Sequence, residues 1–129
     1  MLPFDRLHAG KASYALTLAV YDATEDFPKR EWYALAAQIR RCAVSIVLNL
    51  SEGSAKRGPR EFRRYVDIAI GSLGELVIAL RLSRDREFLT VEQWTRLSEL
   101  SDDTGRLMHR LAQALDRRQI ARPSNRLTV

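Results

Sequence analysis

Several residue types that build cross-linked or metal-bearing sites are scarce in this chain. Among 129 residues there is one cysteine, Cys42, and there are two histidines, His8 and His109. A single thiol excludes an internal disulfide, and the lack of clustered cysteine and histidine excludes a zinc site. Neither histidine follows a glutamate by three residues, so the Glu-x-x-His pattern of di-iron bundles is also missing. We therefore expect no bound metal.

Long apolar runs are absent as well. The longest extends from Ala15 to Val20, is interrupted by Thr17, and is far shorter than the roughly 20 residues that a membrane-spanning helix needs. The residues after Met1 lack the charged and then apolar segments of a secretory signal. We expect no membrane partner and a cytoplasmic location.

No set of catalytic side chains stands out. The glycine-containing stretch 71–74 lies inside a helical pattern rather than after a strand, so it is not a phosphate-binding loop. Cys42 falls on a core-facing stripe and is expected to behave as a small apolar residue. Glu52 and Glu75 are expected to be structural ion partners of arginines. The sequence thus predicts a protein that is not an enzyme and carries no cofactor.

Six glycines and four prolines mostly fall between stretches with the 3.6-residue period of a helix. These stretches predict helices over residues 7–24, 29–54, 59–86 and 90–118. Thr90 is a good N-cap, and Gln93 three residues later completes a capping box. Core stripes are expected to include Ala15 and Leu16 in the first helix and Trp32 in the second.

Long helices joined by short loops are antiparallel neighbours in bundles. We therefore predict an all-α fold, an antiparallel up-down-up-down four-helix bundle over residues 1–118. A flexible basic C-terminal tail is expected over residues 119–129.

The second and third helices are unusual on the faces that point away from this core. Apolar residues recur on the back of the second helix, and two glycines lie in the middle of the third, where each costs about 1 kcal/mol relative to alanine. Missing side chains allow another backbone to approach, so we expect an oligomer contact. The alternative is that the two glycines are merely tolerated in the helix. The expected contact residues are Tyr33, Val44, Leu48, Gly71, Gly74 and Ile78.

Basic residues outnumber acidic ones by 21 to 16 and are unevenly spread. One cluster falls in the loop before the third helix and in its first turns, and a pair lies on the second helix. Arginine suits phosphate because its planar fork donates two parallel hydrogen bonds. The alternative is a solvated face with ordinary helix caps. The expected nucleic-acid-binding residues are Arg40, Arg41, Lys56, Arg57, Arg60, Arg63 and Arg64, with little sequence readout because no aromatic platform is evident among them.

Three stretches together are more specific than any of them alone. They are the sequences Gln38-Ile39-Arg40-Arg41-Cys42, Asn49-Leu50-Ser51-Glu52-Gly53 and Gly71-Ser72-Leu73-Gly74-Glu75-Leu76. With these stretches the chain resembles, over residues 4–120, the bacterial proteins encoded in intervening sequences of 23S ribosomal RNA genes. Cys42 and Leu50 stand where that family is expected to have alanine and isoleucine.

The resemblance implies an antiparallel four-helix bundle that assembles into a homopentameric ring. It also implies kinship with the accessory variability proteins of diversity-generating retroelements, which bind nucleic acid and a reverse transcriptase. The favoured hypothesis is therefore a non-catalytic, oligomeric accessory protein that binds RNA, DNA or an RNA–protein complex. The alternative is a structural or adaptor ring that binds a protein partner, such as a reverse transcriptase or a ribosome-associated protein, without touching nucleic acid.

Overall fold

The computed structural model describes residues 1–121, which form four α-helices and two short 3₁₀ helices with no strand. The 3₁₀ helices are Pro3–Arg6 and Lys29–Glu31. The α-helices are α1, His8–Glu25; α2, Leu35–Ser54; α3, Pro59–Asp85; and α4, Val91–Ile120. The predicted all-α class is confirmed. The last helix continues to Ile120, two residues into the stretch expected to be a tail, and residues 122–129 of that stretch lie outside the described residues.

Cross-helix hydrogen bonds fix the directions of the helices. Between α2 and α3, Ser45 Oγ lies 2.8 Å from Ser72 Oγ, and the Tyr65 hydroxyl lies 3.4 Å from a Glu52 carboxylate oxygen. From the first pair to the second, the residue number rises on α2 and falls on α3, as it does between antiparallel helices. Arg63 near the start of α3 reaches Asp116 near the end of α4, while Arg84 near the end of α3 lies over the ring of Trp94 near the start of α4. Between α1 and α2, the Thr17 hydroxyl donates to the Ala43 carbonyl and Arg40 donates to Thr24 Oγ1, which is again an antiparallel pairing. The chain therefore runs up, down, up and down around one core.

The start of α4 follows its sequence signal. The Thr90 hydroxyl accepts a hydrogen bond from the Gln93 backbone N–H at 3.1 Å, and the Gln93 side chain accepts one from the Thr90 N–H at 2.9 Å. Two backbone donors without intrahelical partners are satisfied in this way. The capping-box prediction is confirmed.

The start of α2 differs from the prediction. After the 3₁₀ helix the backbone turns, and the unusual conformation of Ala34, with φ −117° and ψ −101°, delays the helix until Leu35. The Trp32 indole N–H donates to the Phe27 carbonyl at 3.0 Å, so this side chain holds the loop instead of entering the core. Phe27 takes the buried place, with its ring 5.5 Å from that of Phe88.

The core is built from large aliphatic side chains of all four helices. Those with almost no exposure include Leu16, Ile39, Ile46, Leu76 and Met108. Each such side chain stabilises the fold by about 1.5–3 kcal/mol relative to an exposed position. None of the helices in residues 1–121 combines the length and apolar character that crossing a membrane requires.

The stripe of α1 is only partly as expected. Ala15 is exposed, while Ser13 and Thr24 are buried. Both hydroxyls donate to a carbonyl of the same helix, to Gly10 at 2.9 Å and to Val20 at 2.8 Å. Because that bond satisfies the hydroxyl, a small polar residue can occupy a core position that periodicity alone assigns to an apolar one.

A close approach near the end of α2 sets the geometry of the α2–α3 hairpin. A Cβ added at Gly53 would lie 2.7 Å from Tyr65 Cβ and 2.9 Å from Phe62 Cδ1. The contacted Tyr65 atom is attached directly to the α3 backbone, so it cannot swing aside. Only glycine allows the two helices to lie this close.

We predict that Gly53→Ala lowers the free energy of unfolding by about 1–3 kcal/mol, because the added methyl group forces the two helices apart. Chemical denaturation followed by circular dichroism measures the change. Gly105→Ala is the matched control, since its added Cβ would meet only the flexible tip of Leu73 at 3.2 Å. Equal stabilities for the two variants would contradict the close-approach argument.

Candidate nucleic-acid interface

The basic cluster lies at one end of the bundle, and this end also holds the last turns of α4. The contact between Arg63, one turn into α3, and Asp116, one turn before the end of α4, brings the two elements together at 3.0 Å. We call this region the basic end and define it by the residues Lys56, Arg57, Arg60, Arg63, Arg64, Arg117 and Arg118. Its charge therefore comes from segments that are far apart in the sequence.

Three of the predicted arginines are free to bind a ligand. Arg57, Arg60 and Arg64 are exposed, and within the described residues none of them forms a hydrogen bond or an ion pair. Arg60 and Arg64 are four residues apart on α3, so their side chains project from the same face. Arg57 precedes them in the turn. These side chains present unneutralised guanidinium groups to solvent.

Arg63 is different, because it is committed to the fold. It forms ion pairs with Asp67, one turn along α3, and with Asp116 on α4. Partial burial by itself lowers the pKa of the Arg63 guanidinium, but the hydrogen bonds and charges of the two carboxylates outweigh it and raise that pKa. Its charge is neutralised locally, so it contributes less to the field of the basic end than its neighbours do.

One aromatic ring, that of Tyr65, lies beside the cluster, where no aromatic platform was expected. The Lys56 ammonium lies 5.5 Å from the centre of the Tyr65 ring, within the range of a cation–π contact. The Tyr65 hydroxyl is near Glu52. The ring is half-buried and carries Lys56 against it, so it orients the lysine and is not an open stacking platform.

Arg40 and Arg41 do not join the basic end. They precede the end of α2 by 13 or more residues, which corresponds to about 20 Å along the helix. The Arg40 Nε–H donates to Thr24 Oγ1 at 2.8 Å, and its guanidinium lies 4.8 Å from the centre of the Tyr21 ring, so it secures α2 to α1. Arg41 donates to Gln38 Oε1 at 2.7 Å and remains exposed.

Glu52 and Glu75 are not ion partners of arginines, and that expectation is wrong. Among the described residues neither forms a salt bridge. Glu52 accepts from Tyr65, and a Glu75 carboxylate oxygen lies 4.0 Å from Cys42 Sγ. Burial first, and the charge of Glu75 second, raise the pKa of the Cys42 thiol. The thiol is therefore buried and protonated at neutral pH.

The expected oligomer-contact residues are mostly open to solvent. Leu48 is 60% exposed and Ile78 51%, Val44 is half-buried, and a Cβ at Gly71 or Gly74 would meet nothing within 4 Å. Tyr33 lies in the turn before α2 and not on that helix, because the helix begins later than predicted. The residue is 94% exposed.

A further apolar surface was not predicted from the sequence. Tyr14 and Leu18 on α1 are exposed and, with Val44 and Val47 on α2, line a groove of about 270 Å³. The signal was present, because apolar residues recur at 14, 18 and 21 outside the core stripe. Within residues 1–121 no three histidine, cysteine, aspartate or glutamate side chains come together as metal ligands.

Comparison with known proteins finds a family and a solved structure to which this chain is similar. The family model described as 23S rRNA-intervening sequence protein matches residues 5–110. A crystal structure from Bacteroides thetaiotaomicron VPI-5482, described as a protein with unknown function from the S23 ribosomal protein family, is similar with a TM-score of 0.72. It is 20% identical, and the similarity covers 81% of this chain and 97% of that one, which supports the fold alone. No curated protein sequence matches.

We predict that Arg63→Gln lowers the free energy of unfolding by about 0.5–1 kcal/mol, because two carboxylates lose their shared cation and α3 loses a contact to α4. Arg64→Gln, one residue away and at a side chain with no partner in the described part of the chain, is expected to leave stability unchanged. Urea denaturation of both variants measures the difference. An Arg63→Gln variant as stable as Arg64→Gln would show that the ion pairs contribute nothing.

Proposed function

The chain belongs to the 23S rRNA-intervening sequence protein family, and from that premise we propose that it is a non-catalytic accessory protein that binds nucleic acid through its basic end. RNA, alone or within an RNA–protein complex, is the favoured ligand, in a cytoplasmic setting. The observation that carries the proposal is a group of three arginines, Arg57, Arg60 and Arg64, that have no partner among residues 1–121.

Free guanidinium groups favour phosphate for a simple reason. An arginine already paired with a carboxylate must give up that partner, whereas Arg60 and Arg64 can approach a phosphate without losing any contact. Binding releases counterions from the nucleic acid, so affinity falls with salt. Without an open aromatic platform, the contacts are to the backbone and not to the bases.

Assembly of several copies strengthens the proposal. Leu48, Ile78 and the side-chain-free surface at Gly71 and Gly74 support a contact between copies, and the family resemblance implies a pentameric ring. A ring brings the basic ends of its subunits to one side of the assembly. Linked weak sites then bind together with a much higher avidity than one site alone.

A second function is favoured by the groove between α1 and α2. Its lining is largely apolar, and the exposed rings and side chains of Tyr14 and Leu18 are of the kind that protein interfaces bury. In this alternative the ring is an adaptor for a protein such as a reverse transcriptase or a ribosome-associated protein. It predicts a protein complex whose formation does not depend on the basic end.

For the nucleic-acid function, we predict that the chain binds a short, labelled single-stranded RNA of mixed sequence, with affinity that falls between about 50 and 200 mM salt. The double variant Arg60→Gln/Arg64→Gln is expected to weaken binding about tenfold or more at the lower salt. Its slope of log affinity against log salt should be smaller by about 1–1.5, since two phosphate contacts are lost. Fluorescence anisotropy measures both quantities.

The matched control is Arg86→Gln/Arg96→Gln. It removes the same charge from two exposed arginines that lie at the opposite end of the bundle and form no ion pair with any residue that the structure describes. Binding equally weakened in both variants would indicate a response to net charge and would reject the basic end as the site. Absence of binding at low salt would leave the adaptor function as the better account.

For the assembly, we predict a mass in solution several times the 14.8 kDa of one chain. Leu48→Glu is expected to reduce that mass, because it places a charge in an apolar contact, whereas Gln113→Glu on the exposed face of α4 should not. Size-exclusion chromatography with light scattering distinguishes the outcomes. A wild-type mass of one chain would contradict the contact.

A further inference from the structure

A cleft on the seam between α3 and α4 lies away from the basic end and has no part in the function proposed above. Its volume is about 250 Å³. It is lined on α3 by Arg81 and Arg84 and on α4 by Trp94, Ser98 and Ser101. Arg81 follows Arg63 by 18 residues on the same helix, a separation of about 27 Å.

Ser101 departs from the behaviour of the other buried hydroxyls. The residue is only 4% exposed, and its Oγ is the one buried side-chain polar atom of the described chain without a hydrogen-bond partner. Thr24, Ser83 and Thr104 are also buried on helices, and each donates to a carbonyl one turn earlier at 2.8 Å. A buried hydroxyl without a partner loses its hydration and regains nothing. The Ser101 Oγ has almost no exposed surface in the present side-chain rotamer, so a ligand in the cleft that Ser101 lines supplies the missing partner once the side chain turns about its Cα–Cβ bond.

The mouth of the cleft carries positive charge. Arg81 is exposed and, within the described residues, forms no hydrogen bond or ion pair. Arg84 is held in place, because its guanidinium lies 4.5 Å from the centre of the Trp94 ring and its Nε–H donates to Asp85 at 2.9 Å. The exposed ion pair with Asp85 uses only the Nε–H of Arg84, so its terminal N–H groups, together with the guanidinium of Arg81, offer donors that phosphate oxygens accept.

The remaining polar groups define where an anion would sit. Ser98 lies one turn before Ser101 on the same face of α4, so both hydroxyls can point into the cleft. Asp102 is the one acid that lines it. Its negative charge disfavours an anion at that end, so the anion is expected beside Arg81 and Ser98.

We propose that this cleft binds a phosphate monoester group, held by the guanidinium groups of Arg81 and Arg84 and by the hydroxyls of Ser98 and Ser101. The group can arrive as free phosphate or as the 5′-phosphate of a mononucleotide. The cleft is much larger than the roughly 30 Å³ that one water molecule occupies. When the phosphate belongs to a mononucleotide, the Trp94 ring offers an apolar contact to the attached nucleoside.

Trp94 itself reports the binding. The chain has two tryptophans, so the Trp32→Phe variant leaves Trp94 as the only one. Titration with inorganic phosphate and with adenosine 5′-monophosphate is expected to change its fluorescence to saturation, whereas adenosine should have no effect. Tighter binding of the nucleotide than of phosphate assigns the site to nucleotides, and equal binding assigns it to free phosphate.

Because Trp32 holds the loop before α2, the titration is repeated with the unsubstituted chain and followed by the indole ¹⁵N–¹H signals. The Trp94 signal should move and the Trp32 signal should stay. No saturable response to either phosphate compound, or an equal response to adenosine, would overturn the proposal.

Two substitutions test the named side chains. Arg81→Gln should weaken phosphate binding at least tenfold, while Arg96→Gln, an exposed arginine on α4 outside the cleft, should leave it unchanged. Ser101→Ala should weaken binding at least fivefold and at the same time raise the Tm of the unliganded protein. Wild-type affinity in Arg81→Gln or in Ser101→Ala would contradict the assignment, since a purely structural serine affects stability alone.

Discussion

Short connections between long helices determine where the charges of this molecule lie. Residues 55–58 join α2 to α3, and residues 86–90 join α3 to α4, so each helix must return along its predecessor. The first turns of α3 and the last turns of α4 consequently occupy the same end of the bundle. The contact of Arg63 with Asp116 depends on this return, and so does the grouping of arginines that carries the proposed function.

Among the basic residues predicted to bind nucleic acid, the difference between paired and unpaired side chains matters more than their number. Arg63 is neutralised by two carboxylates, Arg40 is directed to α1, and Lys56 is placed against a ring. Arg57, Arg60 and Arg64 remain without partners in the described chain. Net charge alone treats all of these as equal, whereas the structure divides them into side chains that stabilise helix packing and side chains available to a ligand.

The sequence predicted the fold well because its strongest signals are local. Helical periodicity, the Thr90 capping box and the glycine–proline loop before α3 give the four helices, and the family resemblance is confirmed. The late start of α2 was missed because neither the backbone conformation of Ala34 nor the bond from the Trp32 indole to the Phe27 carbonyl leaves a periodic signal in the sequence. Periodicity assigns a tryptophan to the core and has no means of representing that bond.

The candidate site was predicted less completely, for a related reason. The sequence places the basic cluster at an end of the bundle, because the cluster lies beside a loop between two helices. The α4 partner of Arg63, however, is 53 residues away in sequence, and the partners of Arg40 and Glu75 depend on which neighbouring helix each side chain faces. The unpaired hydroxyl of Ser101 becomes visible only when the hydrogen bonds of every buried side chain are known.

The environment of Cys42 has a consequence for how copies of this chain coexist. Its thiol is shielded between α2 and α3, beside Glu75, and the conditions that raise its pKa also keep the reactive thiolate scarce. No other cysteine occurs in the sequence. Oxidants that link exposed thiols therefore cannot couple two folded copies of this chain through a disulfide. Association between copies then involves no disulfide, even in oxidising surroundings.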